Sequence, residues 1–592
     1  MKDFMKHVLA TVVGLILFIF IIGFFGVMSL VGMIASGQST KNVDKNSVFV
    51  LNLSGQLEER AEDNIMSMIS GQVTGNMGLD DVLSAIDKAK TNDNIKGIYI
   101  EAGMFSSDSY ASLQAIRRAL LDFKKSGKWI VAYSDSYTQP TYYLASVADK
   151  VFLNPEGMFD WHGMAAQPFF LKDLMAKFGV KMQLAKVGTY KSAPEQFTAD
   201  HMSDANREQV TAYVTGIWQN VVKGVSESRK ISVEQLNQYA DSLITFADQK
   251  DYVKYKLVDK LVYADEMKAE VKKLLELKDD ESINQVSLAD MANVKRKKNE
   301  GEEIAVYYAY GDIVQTSSEG LTSGGGHQIV GVDVCKDLEN LMNDDEVKAV
   351  VLRVNSGGGS AYASEQIWRA VKLLKEKKPV VVSMGGMAAS GGYYISCNAN
   401  YIVAEPTTLT GSIGIFGMFP DASELLTQKL GVKFDEVKTN RNAGFGSLAR
   451  PINDEEMSYL NNYIQRGYQL FRQRVADGRK LPVEEVEKIA QGHVWLGQDA
   501  LKIKLVDQLG GLEVAVAKAA QLANQKEYHT RAYPGKADFM DQLMNSANSS
   551  GSYLDGQMRE TLGELYEPFL MLKHMNTQSA IQARVPFVIS IK

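Results

Sequence analysis

The chain has 592 residues, too many for one ordinary domain, and its 45% hydrophobic and 23% charged content excludes a disordered or fibrous polymer. A net charge of -7 argues against a nucleic-acid partner, which calls for a basic face. Two cysteines, Cys335 and Cys397, are too few for a disulfide scaffold or a thiolate zinc site, and seven scattered histidines show no metal-ligand spacing. Both cysteines read as small buried groups on helices.

The N-terminus turns continuously apolar from Val8 to about Ala35, with no charged residue between Lys6 and Lys41. That run exceeds the roughly 20 residues that span a bilayer. It also exceeds the roughly 7–15-residue core of a cleaved signal peptide. Residues 1–40 are therefore expected to form an uncleaved transmembrane anchor. Lys2 and Lys6 favour a cytoplasmic N-terminus, which puts the bulk of the chain outside the inner membrane.

After a polar linker, Val48 to Leu53 reads as a strand and Leu79 to Ala89 as an amphipathic helix. Ile95 to Ile100 is a strand, Tyr110 to Lys125 a helix, and Trp129 to Tyr133 a strand. This alternation predicts βαβ units, a mostly parallel sheet and an α/β fold. The same order returns about 250 residues later. Asn94-Ile-Lys-Gly-Ile-Tyr-Ile100 matches Glu346-Val-Lys-Ala-Val-Val-Leu352, and Tyr110-Ala-Ser112 matches Tyr362-Ala-Ser364. Tyr142-Tyr-Leu-Ala-Ser146 matches Tyr393-Tyr-Ile-Ser-Cys397, and Lys256-Leu-Val-Asp259 matches Lys504-Leu-Val-Asp507. Shared order with shared spacing predicts a tandem duplication of one α/β domain, over residues 41–295 and 302–592. The charged run Lys295-Arg-Lys-Lys298-Asn-Glu-Gly301 reads as the solvated linker between them. The segment from about Asp538 to Lys592 mixes polar and apolar residues and reads as an assembly or lid element.

In the second half, the apolar run Pro379-Val-Val-Val-Ser383 leads into Met384-Gly-Gly-Met-Ala-Ala-Ser390-Gly-Gly-Tyr-Tyr-Ile-Ser-Cys397. The pattern is a buried strand, a cluster of small residues with one serine, and a short helix. Ser390 then sits at a helix N-terminus, either as a plain cap or as a nucleophile beside donors that stabilise an oxyanion. Aligning the two Tyr-Tyr pairs puts Gln139 opposite Ser390, and Glu101-Ala-Gly-Met-Phe stands where the second half has Asn355-Ser-Gly-Gly-Gly-Ser360. Val187-Gly-Thr-Tyr-Lys191-Ser-Ala193 aligns with Val437-Lys-Thr-Asn-Arg441-Asn-Ala443. Each half is incomplete; together they offer one serine and one lysine.

A serine hydroxyl needs a base to remove its proton. No histidine lies in or near the Gly-rich motifs. A buried lysine meets the need because desolvation disfavours the ammonium, whereas arginine stays protonated. Lys191 is therefore the candidate base, against the plainer reading of an exposed loop lysine. Gly357-Gly-Gly359 between strand and helix is either an ordinary turn or a set of N–H donors for an oxyanion. Ser412, in Thr410-Gly-Ser412-Ile-Gly414, is either a turn serine or the group that orients the lysine amine.

Four strings carry a resemblance: Ser383-Met-Gly-Gly-Met-Ala-Ala-Ser-Gly-Gly-Tyr393, Leu409-Thr-Gly-Ser-Ile-Gly-Ile-Phe-Gly417, Val187-Gly-Thr-Tyr-Lys-Ser-Ala193 and Val494-Trp-Leu-Gly-Gln-Asp-Ala500. On these, nearly the whole chain resembles the long, duplicated form of the bacterial signal peptide peptidase A family, membrane-anchored serine endopeptidases with a Ser/Lys dyad. The resemblance implies a tandem Clp/crotonase-like fold of ββα-type superhelical repeats, with no cofactor. It assigns Ser390 as nucleophile, Lys191 as general base and Ser412 as the group positioning the lysine. Gly358 would supply an oxyanion N–H together with the nucleophile region. The family's loop usually reads Ser-Pro-Gly-Gly-Ser; Gly357 replaces that proline and removes its fixed φ, which leaves the donor open between Gly358 and Gly359. The resemblance further implies a bowl-shaped homotetramer on the outer side of the cytoplasmic membrane. Its substrates would be remnant signal peptides and other apolar peptides. Pairing of Lys191 with Ser390 within one chain is favoured by the fusion, a neighbour's lysine being the alternative. Two rival readings are a crotonase-like enzyme acting on coenzyme A thioesters and a non-enzymatic membrane scaffold.

Overall fold

The computed structural model describes residues 41–61, 76–295, 301–316, 327–536 and 581–585, with scattered positions from Lys6 to Phe25. Among the described residues no helix is long and apolar enough to cross a membrane. The expected anchor lies mostly outside the described residues, as do linker residues 296–300.

The first half alternates β1 (Ser47–Glu58), α1 (Leu79–Thr91), β2 (Ile95–Ser107), α2 (Tyr110–Lys124), β3 (Trp129–Tyr137), α3 (Gln139–Ala145) and β4 (Lys150–Phe159). Strands β1 to β4 form one parallel sheet in sequence order. Local chemistry explains the helices. Ser109 caps α2 by accepting the Ser112 N–H, and Leu113, Ile116, Leu120 and Phe123 recur at helical spacing on its buried face. Each such side chain contributes about 1.5–3 kcal/mol of burial. Farther along come β5 (Lys181–Lys186) and the long helix α4 (Asp204–Arg229).

The second half repeats the plan with β6 (Glu302–Tyr310), β7 (Asp312–Val314), β8 (Val347–Ser356), β9 (Gly358–Ser360), α5 (Ala361–Lys377), β10 (Val380–Ala389), α6 (Gly391–Ser396) and β11 (Tyr401–Ala404). It continues with β12 (Leu409–Gly411), β13 (Phe416–Asp421), α7 (Asp454–Arg479), β14 (Val494–Leu496), β15 (Tyr528–Tyr533) and β16 (Ile581–Arg584). Its main sheet runs β14-β12-β10-β8-β6-β15, with β11 beside β10. A smaller sheet runs from Gln328–Val330 through β7, β9, β16 and β13 to β5, so a strand of the first half closes a sheet of the second.

The duplication is visible in matched hydrogen bonds. Tyr142 donates to the Leu257 carbonyl at 2.8 Å, and Tyr393 to that of Leu505 at 2.9 Å. Asp259 accepts from Val151 N–H and pairs with Arg229; Asp507 accepts from Ile402 N–H and pairs with Arg479. Between the halves, Arg353 on β8 makes a two-point ion pair with Glu59, at 2.7 and 3.1 Å, and both side chains are buried.

Two local expectations need correction. Strand β10 does not end at Ser383 but carries the backbone through Met384-Gly-Gly-Met-Ala-Ala389, where it pairs with β12 on one side and, after a register shift, keeps Ala388 opposite Ser356 of β8 on the other. Cys335 lies on the helix Gly331–Asn343 but is only half-buried, because it stands at the margin of that helix's apolar face; Cys397, fully buried, is the residue that ends α6.

Candidate active site

Strand β10 passes into helix α6 through one residue, Ser390. Its backbone has φ 54° and ψ -112°, a left-handed conformation that strains a side chain-bearing residue by about 1–3 kcal/mol. The turn is held on both sides. Ser390 N–H donates to the Gly411 carbonyl at 2.8 Å, and the Ser390 carbonyl accepts from Tyr394 N–H at 2.8 Å. Its hydroxyl does not cap α6, so the capping reading fails. The glycines after it are required by close approach. A Cβ on Gly391 would stand 2.8 Å from Ser364 Oγ, and one on Gly392 would stand 2.5 Å from the Ser356 carbonyl oxygen.

The lysine arrives from the other half. Strand β5 pairs antiparallel with β13, from Phe416 opposite Lys186 to Asp421 opposite Lys181, and delivers the following turn to the serine. Tyr190 N–H donates to the Gln491 carbonyl at 2.8 Å, and Gln491 Oε1 accepts from Thr189 N–H. Gly492, with φ +79°, packs so tightly that a Cβ there would lie 2.6 Å from the Lys191 backbone.

Lys191 Nζ lies 2.7 Å from Ser390 Oγ, 3.1 Å from Ser412 Oγ and 3.2 Å from the Ser412 carbonyl oxygen. All three residues are buried, and the lysine and serine meet within one chain. Among the described residues no carboxylate is a hydrogen-bond partner of the amine, and burial drives its pKa well below the ordinary value. A neutral amine has two hydrogens and one lone pair. With its two hydrogens on the Ser412 oxygens, a neutral amine here would turn its lone pair to the Ser390 hydroxyl, the geometry a general base needs. Ser412 is itself fixed, with φ 49° and its N–H donating to the His493 carbonyl at 2.7 Å.

The two candidate oxyanion glycines part company. Gly358 Cα lies 3.0 Å from the Cβ position of Gly391, against the first turn of α6. Its N–H has Ser356 Oγ as a partner at 3.1 Å. Gly359 is turned towards β7, its Cβ position 2.1 Å from the Ile313 carbonyl oxygen. Gly358 is thus the loop residue beside the serine.

The counterparts in the other half do different work. Gln139 accepts from the His162 and Gly163 N–H groups and donates to the Gly163 carbonyl, sealing the place a nucleophile would take. Arg441 is largely exposed and paired with Glu455. Sequence reasoning missed Gln491, Gly492 and His493, which hold the lysine turn and Ser412. They directly precede the motif at Val494, but no residue type in them announces a role.

Fold and site together define a serine peptidase of Clp-like architecture. The Peptidase family S49 model matches residues 122–278 and again 372–526, and the Clp protease model matches residues 321–406. Protease 4 of Salmonella typhi is 37% identical over 581 residues, covering 95% of this chain and 91% of that one. Protease 4 of Haemophilus influenzae is 35% identical over 552 residues, covering 88% and 87%. The chloroplastic serine protease SPPA of Arabidopsis thaliana is 32% identical over 489 residues, covering 82% and 70%. The chain belongs to peptidase family S49, in its long, duplicated form. That membership decides for a serine protease over the thioester and scaffold readings.

Proposed function

We propose that the protein is a membrane-anchored endopeptidase that clears remnant signal peptides and other apolar peptides, with Ser390 as nucleophile and Lys191 as general base. The observation that carries this is the 2.7 Å approach to Ser390 Oγ of a buried lysine with no acidic partner among the described residues. Ser390 Oγ attacks the peptide carbonyl and its proton passes to Lys191 Nζ. The tetrahedral oxyanion forms beside Gly358 and the start of α6, where N–H groups stabilise it. Lys191 gives the proton to the leaving amine, then takes one from the water that opens the ester. Ser412 keeps the amine aimed throughout.

Anchoring rests on the uncharged run between Lys6 and Lys41, long enough to span a bilayer. With Lys2 and Lys6 on the cytoplasmic side, the catalytic part faces outward from the inner membrane. Apolar substrates left in that bilayer would then be within reach, and assembly as a homotetramer would shelter the site. The test is cleavage of a synthetic signal peptide by the full chain in detergent. Hydrolysis that Ser390→Ala abolishes is expected; equal hydrolysis by that variant would refute the assignment.

A further inference from the structure

The turn that carries Lys191 is braced by one buried amide. Gln209 stands in the second turn of α4, and its side chain is fully buried. Its Nε2 lies 2.8 Å from Ser192 Oγ and 3.1 Å from the Tyr190 carbonyl oxygen, groups of the two residues that flank Lys191. A third oxygen, Asn206 Oδ1, lies 3.2 Å away. Its Oε1 accepts the Val494 N–H at 3.1 Å. Val494 opens β14, where it pairs with Gly411 of β12. The Gly411 carbonyl holds the Ser390 N–H, and the His493 carbonyl, one residue before Val494, holds the Ser412 N–H. One side chain thus bridges the lysine turn to the strands that seat the other two groups of the site.

The bridge admits an amide, and in one orientation. The Val494 N–H can only donate and the Tyr190 carbonyl can only accept, so the oxygen of Gln209 faces the first and its nitrogen the second. The two hydrogens on Nε2 go to the Tyr190 carbonyl and Ser192 Oγ. The Ser192 hydroxyl donates onward to Asn206 Oδ1 at 2.9 Å, and Asn206 Nδ2 donates to Glu195 Oε2 at 2.9 Å. Glu195 also accepts from the hydroxyl and the N–H of Ser203, the cap of α4. Ser192 and Asn206 are fully buried, and Glu195 is buried. The direction of donation is set at each of these links, and a buried network satisfied in this way holds its members in one arrangement.

We propose that Gln209 is a positioning residue for the peptidase reaction: its amide sets the reach of the Lys191 amine to Ser390 by locking the lysine turn to the strand pair of β12 and β14. This rests on the Ser390–Lys191 reading above. The amine acts at the end of a flexible four-carbon stem, so its aim depends on the backbone from which the stem starts. The Gln491 carbonyl grips that backbone at the Tyr190 N–H, and Gln209 grips it at the Tyr190 carbonyl and at Ser192. Gln209 bonds to neither side chain of the dyad and acts through their placement.

The test compares the full-chain wild type, Gln209→Met, Ser192→Ala and Ser390→Ala in detergent. It reads kcat and KM on an apolar peptide, the rate at which a fluorophosphonate labels Ser390, and the denaturant midpoint of unfolding. Gln209→Met keeps the length of the side chain and removes both ends of the bridge. Its kcat should fall by about 10-fold or more, towards the roughly 100-fold that a misplacement of about 1 Å costs, with KM within about twofold. Labelling should slow with kcat, because the probe needs the activated hydroxyl and not the peptide. Ser192→Ala keeps the Val494 tie and removes one hydrogen bond to the amide; kcat and labelling should fall about 3-fold, the scale of one such bond. It is the deciding variant should Gln209→Met not fold. Unchanged kcat and labelling in the folded variants, with only the unfolding midpoint lowered, overturns the proposal and leaves the dyad standing, since a group that merely holds the fold does not slow the folded fraction. A loss carried by KM alone overturns it too. Hydrolysis that survives Ser390→Ala removes the dyad reading and this proposal together.

Discussion

Lys191 is a long cationic side chain placed where an ammonium is unfavourable. Its ordinary pKa is 10.5, and burial lowers it well below that in the fold. Activity should therefore fall as pH drops through the lowered value, since protonation removes the lone pair that faces Ser390. A flat acid limb in kcat/KM would contradict the role. Stability has a matching slope. Between the folded and unfolded pKa values the unfolded chain holds a proton that the folded chain lacks, so stability rises with pH across that window. The contribution is complete above about 10.5 and is lost as pH falls through the folded value. Lys191→Met removes this slope. The stability of wild type relative to Lys191→Met should climb from pH 7 towards pH 10, as read by denaturant midpoints; a constant difference would mean the amine is charged in the fold. Gly492→Ala tests placement. Its Cβ would collide with the Lys191 backbone at 2.6 Å in a left-handed turn. A displacement of the amine by about 1 Å is expected to lower kcat by about 100-fold, with a smaller change in KM.

Among the elements, the junction of β10 with α6 fixes the serine and the junction after β5 fixes the lysine. The ion pair of Glu59 with Arg353 ties the halves beneath them. Glu59 also accepts from Asn355 Nδ2, and Asn355 Oδ1 accepts the Met387 N–H on β10, so the tie reaches the strand that carries the serine. Glu59→Ala leaves the Arg353 guanidinium buried and unpaired, which should destabilise the chain by about 3–5 kcal/mol in chemical unfolding. An effect below about 1 kcal/mol, the scale of an exposed pair, would contradict that account. The strands and helices with strong periodicity were legible in the sequence, from Val48 to Tyr133 and again from Val347 to Cys397. The small sheet was not. Its strands are three to six residues long, and two of its pairings, β5 with β13 and β9 with β16, join segments more than 200 residues apart.

At the scale of the whole molecule, duplication followed by divergence has divided one site between two halves. The meeting of Ser390 with Lys191 was readable because aligned repeats turn a missing residue into a signal: Gln139 against Ser390, Arg441 against Lys191; Ser412 was singled out only by its motif, Thr410-Gly-Ser412-Ile-Gly414. The residues that hold them were not readable, because Gln491 acts through its carbonyl, Gly492 through the side chain it lacks, and His493 through its backbone. The choice between Gly358 and Gly359 needed three dimensions, since adjacent glycines in a bent strand face opposite ways. The anchor rests on hydropathy alone. A chain cut in the linker between residues 295 and 302 should lose peptidase activity when either half is assayed alone, because neither half contains both Ser390 and Lys191; activity in an isolated second half would break the shared-site account. The most direct measurement is hydrolysis of an apolar peptide by the full chain beside Ser390→Ala and Lys191→Met, each checked for folding by circular dichroism. Cleavage by the wild type and none by either folded variant is the predicted result; full activity in Ser390→Ala would place the nucleophile elsewhere and contradict the account.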